Sequence, residues 1–121
     1  MILHVVLYQP KPSATPEELS DLVNALEVVS REVPSIRQVR IGRALDLGFS
    51  YSNWSKDQNE LNVAVFEFDD LNGLKAYLEH EDHKKLAALF WSTCDRPTIV
   101  DVSAVDPTAQ DLRTIFGQMG D

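Results

Sequence analysis

The stretch Ala76 to Lys85, AYLEHEDHKK, sets Tyr77, His80 and His83 at three-residue steps in a chain that contains three histidines in all. These residue types suit proton transfer beside a carbonyl. A neutral imidazole accepts a proton near physiological pH. A phenol holds a carbonyl oxygen while negative charge develops on it. His83 falls in the first turn of a helix that the following Leu86, Leu89 and Phe90 extend. The positive end of that helix disfavours the imidazolium form and leaves a base. The alternative is packing alone, with Tyr77 and His83 filling a seam between helix and sheet. A metal site would draw on His80 and His83 with Glu81 and Asp82 between them, but a third ligand is not evident and no metal is expected. If the chain breaks between helices at His80, that ring becomes a helix-end residue on the surface.

The remaining histidine, His4, sits in ILHVVLY (residues 2–8), a β-rich run closed by Pro10 and Pro12. It shares a parity with Ile2 and Val6, so it points into a packed layer, either satisfied within the core or lining a cavity. Thr15 then opens a helix with Pro16 at its first position and Glu18 completing a capping box. Leu19, Leu22, Val23, Leu26 and Val29 recur at helical spacing until Pro34 stops the run. Residues 36–45 and 61–68 read as a second and a third strand. Between them a polar loop carries Phe49, Tyr51 and Trp54, either tucked against the domain edge or serving as a lid or subunit contact. Asp69 or Asp70 caps a helix whose inner face is Leu71, Leu74 and Leu78. Residues 97–105 form a fourth strand, and from Asp106 a terminal amphipathic helix aligns Leu112, Ile115, Phe116 and Met119.

The order strand, helix, two strands, helix pair, strand is that of a ferredoxin-like α+β domain, a four-stranded antiparallel sheet with helices on one face. It spans residues 1–105, with 106–121 as a helical tail. In such a domain the uncovered sheet face should be polar. Here Leu3, Val5 and Leu7 are apolar on one parity, and Ile2 and Val6 on the other. Likewise Leu61, Val63 and Val65 oppose Ala64, Phe66 and Phe68. Both faces are thus built for burial, and the second is expected to meet another copy of the sheet in a symmetric dimer.

Length and charge narrow the partners. With 121 residues, 44% of them apolar and 25% charged, the chain matches one soluble domain. The 19 acidic residues outnumber 11 basic ones, for a net charge of −8. Lys84-Lys85 is the densest basic cluster, so nucleic acid and anionic membrane surfaces are not expected partners. No apolar run is long enough to span a membrane. The N-terminal run lacks a basic flank and reads as a strand, not a signal peptide. Cys94 stands alone, which suits a reducing cytoplasm and a role as small apolar filler. Gly-rich phosphate loops are absent, and no cofactor is expected.

HVVLY, the helix after TPEEL, and above all LKAYLEHEDHKKL resemble the stress-responsive A/B barrel family, a branch of the dimeric α+β barrel superfamily, over residues 2 to 105. The family's first-strand histidine matches His4. Its Tyr-x-x-His-Pro-x-His signature matches Tyr77, His80 and His83, with Glu81 in place of the proline. The resemblance implies two sheets packed into a dimeric α/β barrel, with a small cavity between helices and sheet in each subunit. Most members have no assigned reaction. One plant branch cyclises polyketides by intramolecular aldol condensation, and its pattern implies His83 as base, Tyr77 as carbonyl contact and His4 as support.

Three functions follow for comparison. The first is a dimeric protein that binds a small apolar ligand in the helix–sheet cavity without transforming it. The second is a cofactor-independent enzyme, cyclase-like or monooxygenase-like, using the His/Tyr set. The third is an association module with a filled core.

Overall fold

The computed structural model describes residues 1–53, 61–108, 112, 113 and 115. Trp54, Phe116 and Met119, and with them most of the expected terminal helix, lie outside the described residues; within that stretch Ile115 N–H donates to the Leu112 carbonyl at 3.0 Å.

The elements in order are β1 (Ile2–Pro10), α1 (Pro16–Glu32), β2 (Gln38–Arg43), a 3₁₀ turn (Ser50–Asn53), β3 (Asn62–Phe68), α2 (Leu71–Glu79), α3 (Glu81–Thr93) and β4 (Cys94–Ser103). The four strands form one antiparallel sheet in the order β2-β3-β1-β4. This is the ferredoxin-like arrangement, with β1 and β3 central.

Local chemistry explains the helix limits. Thr15 caps α1 through both bonds of the capping box: Glu18 N–H donates to its hydroxyl at 3.1 Å, and its own N–H donates to the Glu18 carboxylate at 3.0 Å. Val33 ends the helix, its N–H still reaching the Val29 carbonyl, and Pro34 forbids continuation. Of the two aspartates before α2, Asp70 is the cap, accepting from Gly73 N–H at 2.9 Å. Asp69 turns outward to Arg37 at 2.6 Å, an exposed pair of little energetic weight. α2 and α3 are separated by the single extended residue His80, which ends one helix and caps the next, its Nδ1 accepting the Asp82 N–H at 3.1 Å.

Four parts of the chain differ from the sequence pattern. Residues 97–105 predict β4, yet the strand starts at Cys94, directly after α3. Pro97 is tolerated inside it because β4 is an edge strand, next to an irregularity in its pairing between Leu7 and Gln9. The apolar period places Leu71 and Leu78 on the inner face of α2, but the buried pair is Leu74 and Tyr77, and Leu71 is 52% exposed. Three-residue spacing on so short a helix gives one face to a leucine and a tyrosine. On α1 Val23 likewise turns outward, while Leu22 and Val29 are buried. In the loop after β2, Phe49 and Tyr51 stack on each other with ring centroids 5.7 Å apart, both exposed and not tucked against the domain edge.

The core forms between one sheet face and the helices. Val6, Tyr8, Ala64, Phe66 and Phe68 come from the strands, and Leu22, Val29, Leu74, Tyr77 and Leu86 from the helices. The other sheet face carries Leu3, Val5 and Leu7 of β1, Val63 and Val65 of β3, and Val100 and Val102 of β4, set side by side by the register. None of these joins the core cluster, and Val100 is 46% exposed.

Candidate functional site

The register of the central strands assembles the site. His4 pairs with Phe66 on one side and Asp101 on the other, so all three side chains stand on the helix-facing surface. His4 is 5% exposed. Its Nδ1 lies 2.6 Å from the Asp101 carboxylate. A carboxylate accepts, so Nδ1–H is the donor and Nε2 is the ring nitrogen left over. His4 is therefore both satisfied and on a cavity wall, which joins the two roles its parity allows.

Tyr77 comes down from α2 onto this layer. Its ring meets Phe66 at 5.2 Å, Phe68 at 5.5 Å, His4 at 5.9 Å and His83 at 4.5 Å between centroids. The residue is 2% exposed, yet among the described residues its hydroxyl has no hydrogen-bond partner. A buried hydroxyl left unpaired is costly and calls for a partner from outside the chain. Burial pushes the phenol well above its ordinary value, so it remains a donor across the physiological range.

His83 closes the set from the first turn of α3. Its Nδ1 is 3.1 Å from the Leu78 carbonyl oxygen. That oxygen can only accept, so Nδ1 carries the hydrogen and Nε2 holds a lone pair. Burial lowers the pKa of His83, the bond to Leu78 opposes that shift, and nearby His4 adds to it. Desolvation is the leading cause of the shift. Since the folded state resists protonation, its stability is complete above the ordinary value of 6.5 and declines as pH falls below it, where the unfolded chain binds the extra proton. His83→Gln, which keeps a donor near Leu78, should flatten this decline; urea midpoints of both proteins between neutral and mildly acidic pH check it.

These residues line a cavity of about 300 Å³ between sheet and helices, at the small end of ligand pockets. Its walls are mostly apolar: Leu22 and Leu26 from α1, Leu86, Ala87 and Phe90 from α3, Val6 and Ala64 from the sheet. Trp91 and Ile99, 57% and 44% exposed, stand at its rim. His4, Tyr77, His83 and Asp101 all contribute to the wall.

Of the residues singled out from sequence, His4, Tyr77 and His83 converge, and His80 does not join them. Among the described residues no three His, Cys, Asp or Glu side chains are placed to hold a metal. Cys94 is buried and unpaired, its thiol pushed up to about 11 chiefly by burial, which suits filler and not nucleophile. Two wall residues escape the sequence reading. Asp101 is an acid inside the apolar run TIVDV, and Tyr8 shares the parity of His4; both signals are present, but only the pairing register gives them meaning.

No curated protein matches the chain in sequence. Solved structures do match in fold. A crystal structure of an Arabidopsis thaliana protein superposes with a TM-score of 0.70 at 16% identity, covering 88% of this chain and 97% of that one. A dimeric ferredoxin-like protein of unknown function from Thermobifida fusca gives 0.65 at 22% identity, covering 85% and 90%. The hydroxynitrile lyase of Passiflora edulis gives 0.68 at 10% identity, covering 87% and 94%. The family model of the stress responsive A/B barrel domain matches residues 2–104. That span holds all four strands, the three helices and His4, Tyr77, His83 and Asp101, and the chain belongs to this family.

Proposed function

We propose that this chain forms a homodimeric A/B barrel, each subunit of which binds a small, largely apolar ligand carrying a carbonyl or hydroxyl oxygen in its helix–sheet cavity. The buried hydroxyl of Tyr77 on the cavity wall, without a partner among the described residues, carries this reading. A phenol held protonated there supplies one hydrogen bond to a ligand oxygen, and the apolar walls supply the rest of the affinity. On this reading residues 1–105 make the barrel domain and 106–121 a C-terminal tail. Among the described residues no helix is long and apolar enough to cross a membrane, and the single unpaired cysteine fits a cytoplasmic setting. The apolar outer sheet face supports the dimer, and the Thermobifida fusca relative is itself dimeric.

Trp91 on the rim provides the readout. Titration with small aryl ketones should change tryptophan emission saturably, and Trp91→Phe should diminish the response. Absence of saturable binding across such a panel contradicts the proposal.

One observation favours a second reading, in which the site transforms its ligand. His83 presents Nε2 as a lone-pair nitrogen beside Tyr77, its Nδ1 tied to Leu78 and its pKa lowered. This is the arrangement needed to take a proton from carbon next to a carbonyl held by Tyr77, with His4, steadied by Asp101, behind them. Hydrogen–deuterium exchange at that carbon in D₂O separates the readings. A catalytic site accelerates exchange, loses that acceleration as acid protonates His83 below pH 6.5, and loses it in His83→Ala. A binding site saturates with ketone and leaves exchange at the buffer rate.

A further inference from the structure

The cavity has a second polar wall group that neither the sequence pattern nor the proposed reading uses. Tyr8 lies on β1 four residues beyond His4 and on the same sheet face, which by strand rise sets their Cα atoms about 13 Å apart. It lines the same cavity and is 7% exposed. Its ring packs edge-on against Phe90, with centroids 5.4 Å apart. Among the described residues its hydroxyl has no hydrogen-bond partner. Between Tyr8 and the cluster around Tyr77 the wall is Val6, Ala64, Phe66, Leu86 and Phe90, with no polar side chain among them. The apolar cavity wall therefore carries two buried tyrosines set apart along β1 and α2, neither hydroxyl having a partner among the described residues.

We infer that the ligand is elongated and bifunctional, an aryl or alkyl body with one oxygen for Tyr77 and a second hydrogen-bonding group at its far end for Tyr8. The chemical class is that of hydroxyaryl ketones and similar molecules with separated polar termini. A ligand polar at one end only would leave one hydroxyl buried and unmatched, an arrangement that costs affinity relative to a molecule that satisfies both. Burial raises the Tyr8 phenol above its ordinary value, so it too stays a donor.

This inference rests on the proposed cavity-binding function, and the test keeps the two apart. Two probe pairs, acetophenone with its para-hydroxy derivative and 4-phenylbutan-2-one with its para-hydroxy derivative, are titrated calorimetrically into the wild type and Tyr8→Phe. The wild type should prefer one hydroxylated probe over its parent by about tenfold, and Tyr8→Phe should erase that preference while binding the parent ketone unchanged. Tyr8→Phe loses no partner, so its melting temperature without ligand should match or exceed that of the wild type. Parent ketones that bind with no hydroxyl preference, or a preference that survives in Tyr8→Phe, overturn the second contact and leave the cavity reading in place. Failure of both pairs to bind the wild type overturns both.

Discussion

Tyr77→Ala is expected to destabilise the protein by about 3–5 kcal/mol, whereas Tyr77→Phe keeps the fold and weakens a bound ketone about tenfold. The two substitutions separate the two tasks of one side chain. The ring is the keystone of an aromatic layer, touching His4, Phe66, Phe68 and His83 at once. Its removal opens a hole beneath α2 that Leu74 alone cannot close. The hydroxyl contributes no contact to that layer, because it meets no partner among the described residues. Its loss therefore leaves the empty protein's stability equal or raised, and the ligand oxygen then loses its donor inside an apolar wall. Chemical denaturation measures the first effect and ketone titration the second. A Tyr77→Phe variant that is markedly less stable than the wild type would show the hydroxyl to be structural.

The other large effect lies on the opposite sheet face. Val5→Asp sets a carboxylate at the centre of the layer formed by Leu3, Leu7, Val63, Val65, Val100 and Val102. In the proposed dimer it is buried with no partner, at a cost of about 3 kcal/mol or more, which weakens association by about a hundredfold. Val5 takes no part in the helix-side core, so the monomer should retain its circular dichroism. Sedimentation at micromolar concentration should show the wild type as a dimer and Val5→Asp as a monomer. A wild type that sediments as a monomer contradicts the dimer outright.

Much of this was legible in the sequence because it is set by short-range chemistry. Thr15, Pro16 and Glu18 define a helix start that depends on nothing distant. Strand parity puts His4 in a packed layer on the face opposite Leu3 and Val5, and the contact with Tyr77 of α2 makes that face the helix side. Tyr77 and His83 stand out in the sequence, but six residues on one helix would set them on different faces, and it is the break at His80 that brings their rings together. What stayed hidden depends on register and tertiary contact. Asp101 is an unremarkable acid until β4 pairs with β1 and sets it against His4. Either aspartate before α2 can cap it, and only the backbone shows that Asp70 is the extended residue directly before the helix, within reach of Gly73 N–H. Pro97 reads as a strand boundary, yet its edge position in the sheet makes it harmless.

The central claim is that the void beneath the helices is a ligand site built around the Tyr77 hydroxyl. A crystal structure of the protein grown with 4-phenylbutan-2-one tests it most directly. The ketone should occupy the space between Phe66, Leu86 and Phe90, its oxygen about 3 Å from Tyr77 Oη. A ketone-free cavity closed by its own side chains, with the Tyr77 hydroxyl bonded to another protein group, would contradict the account.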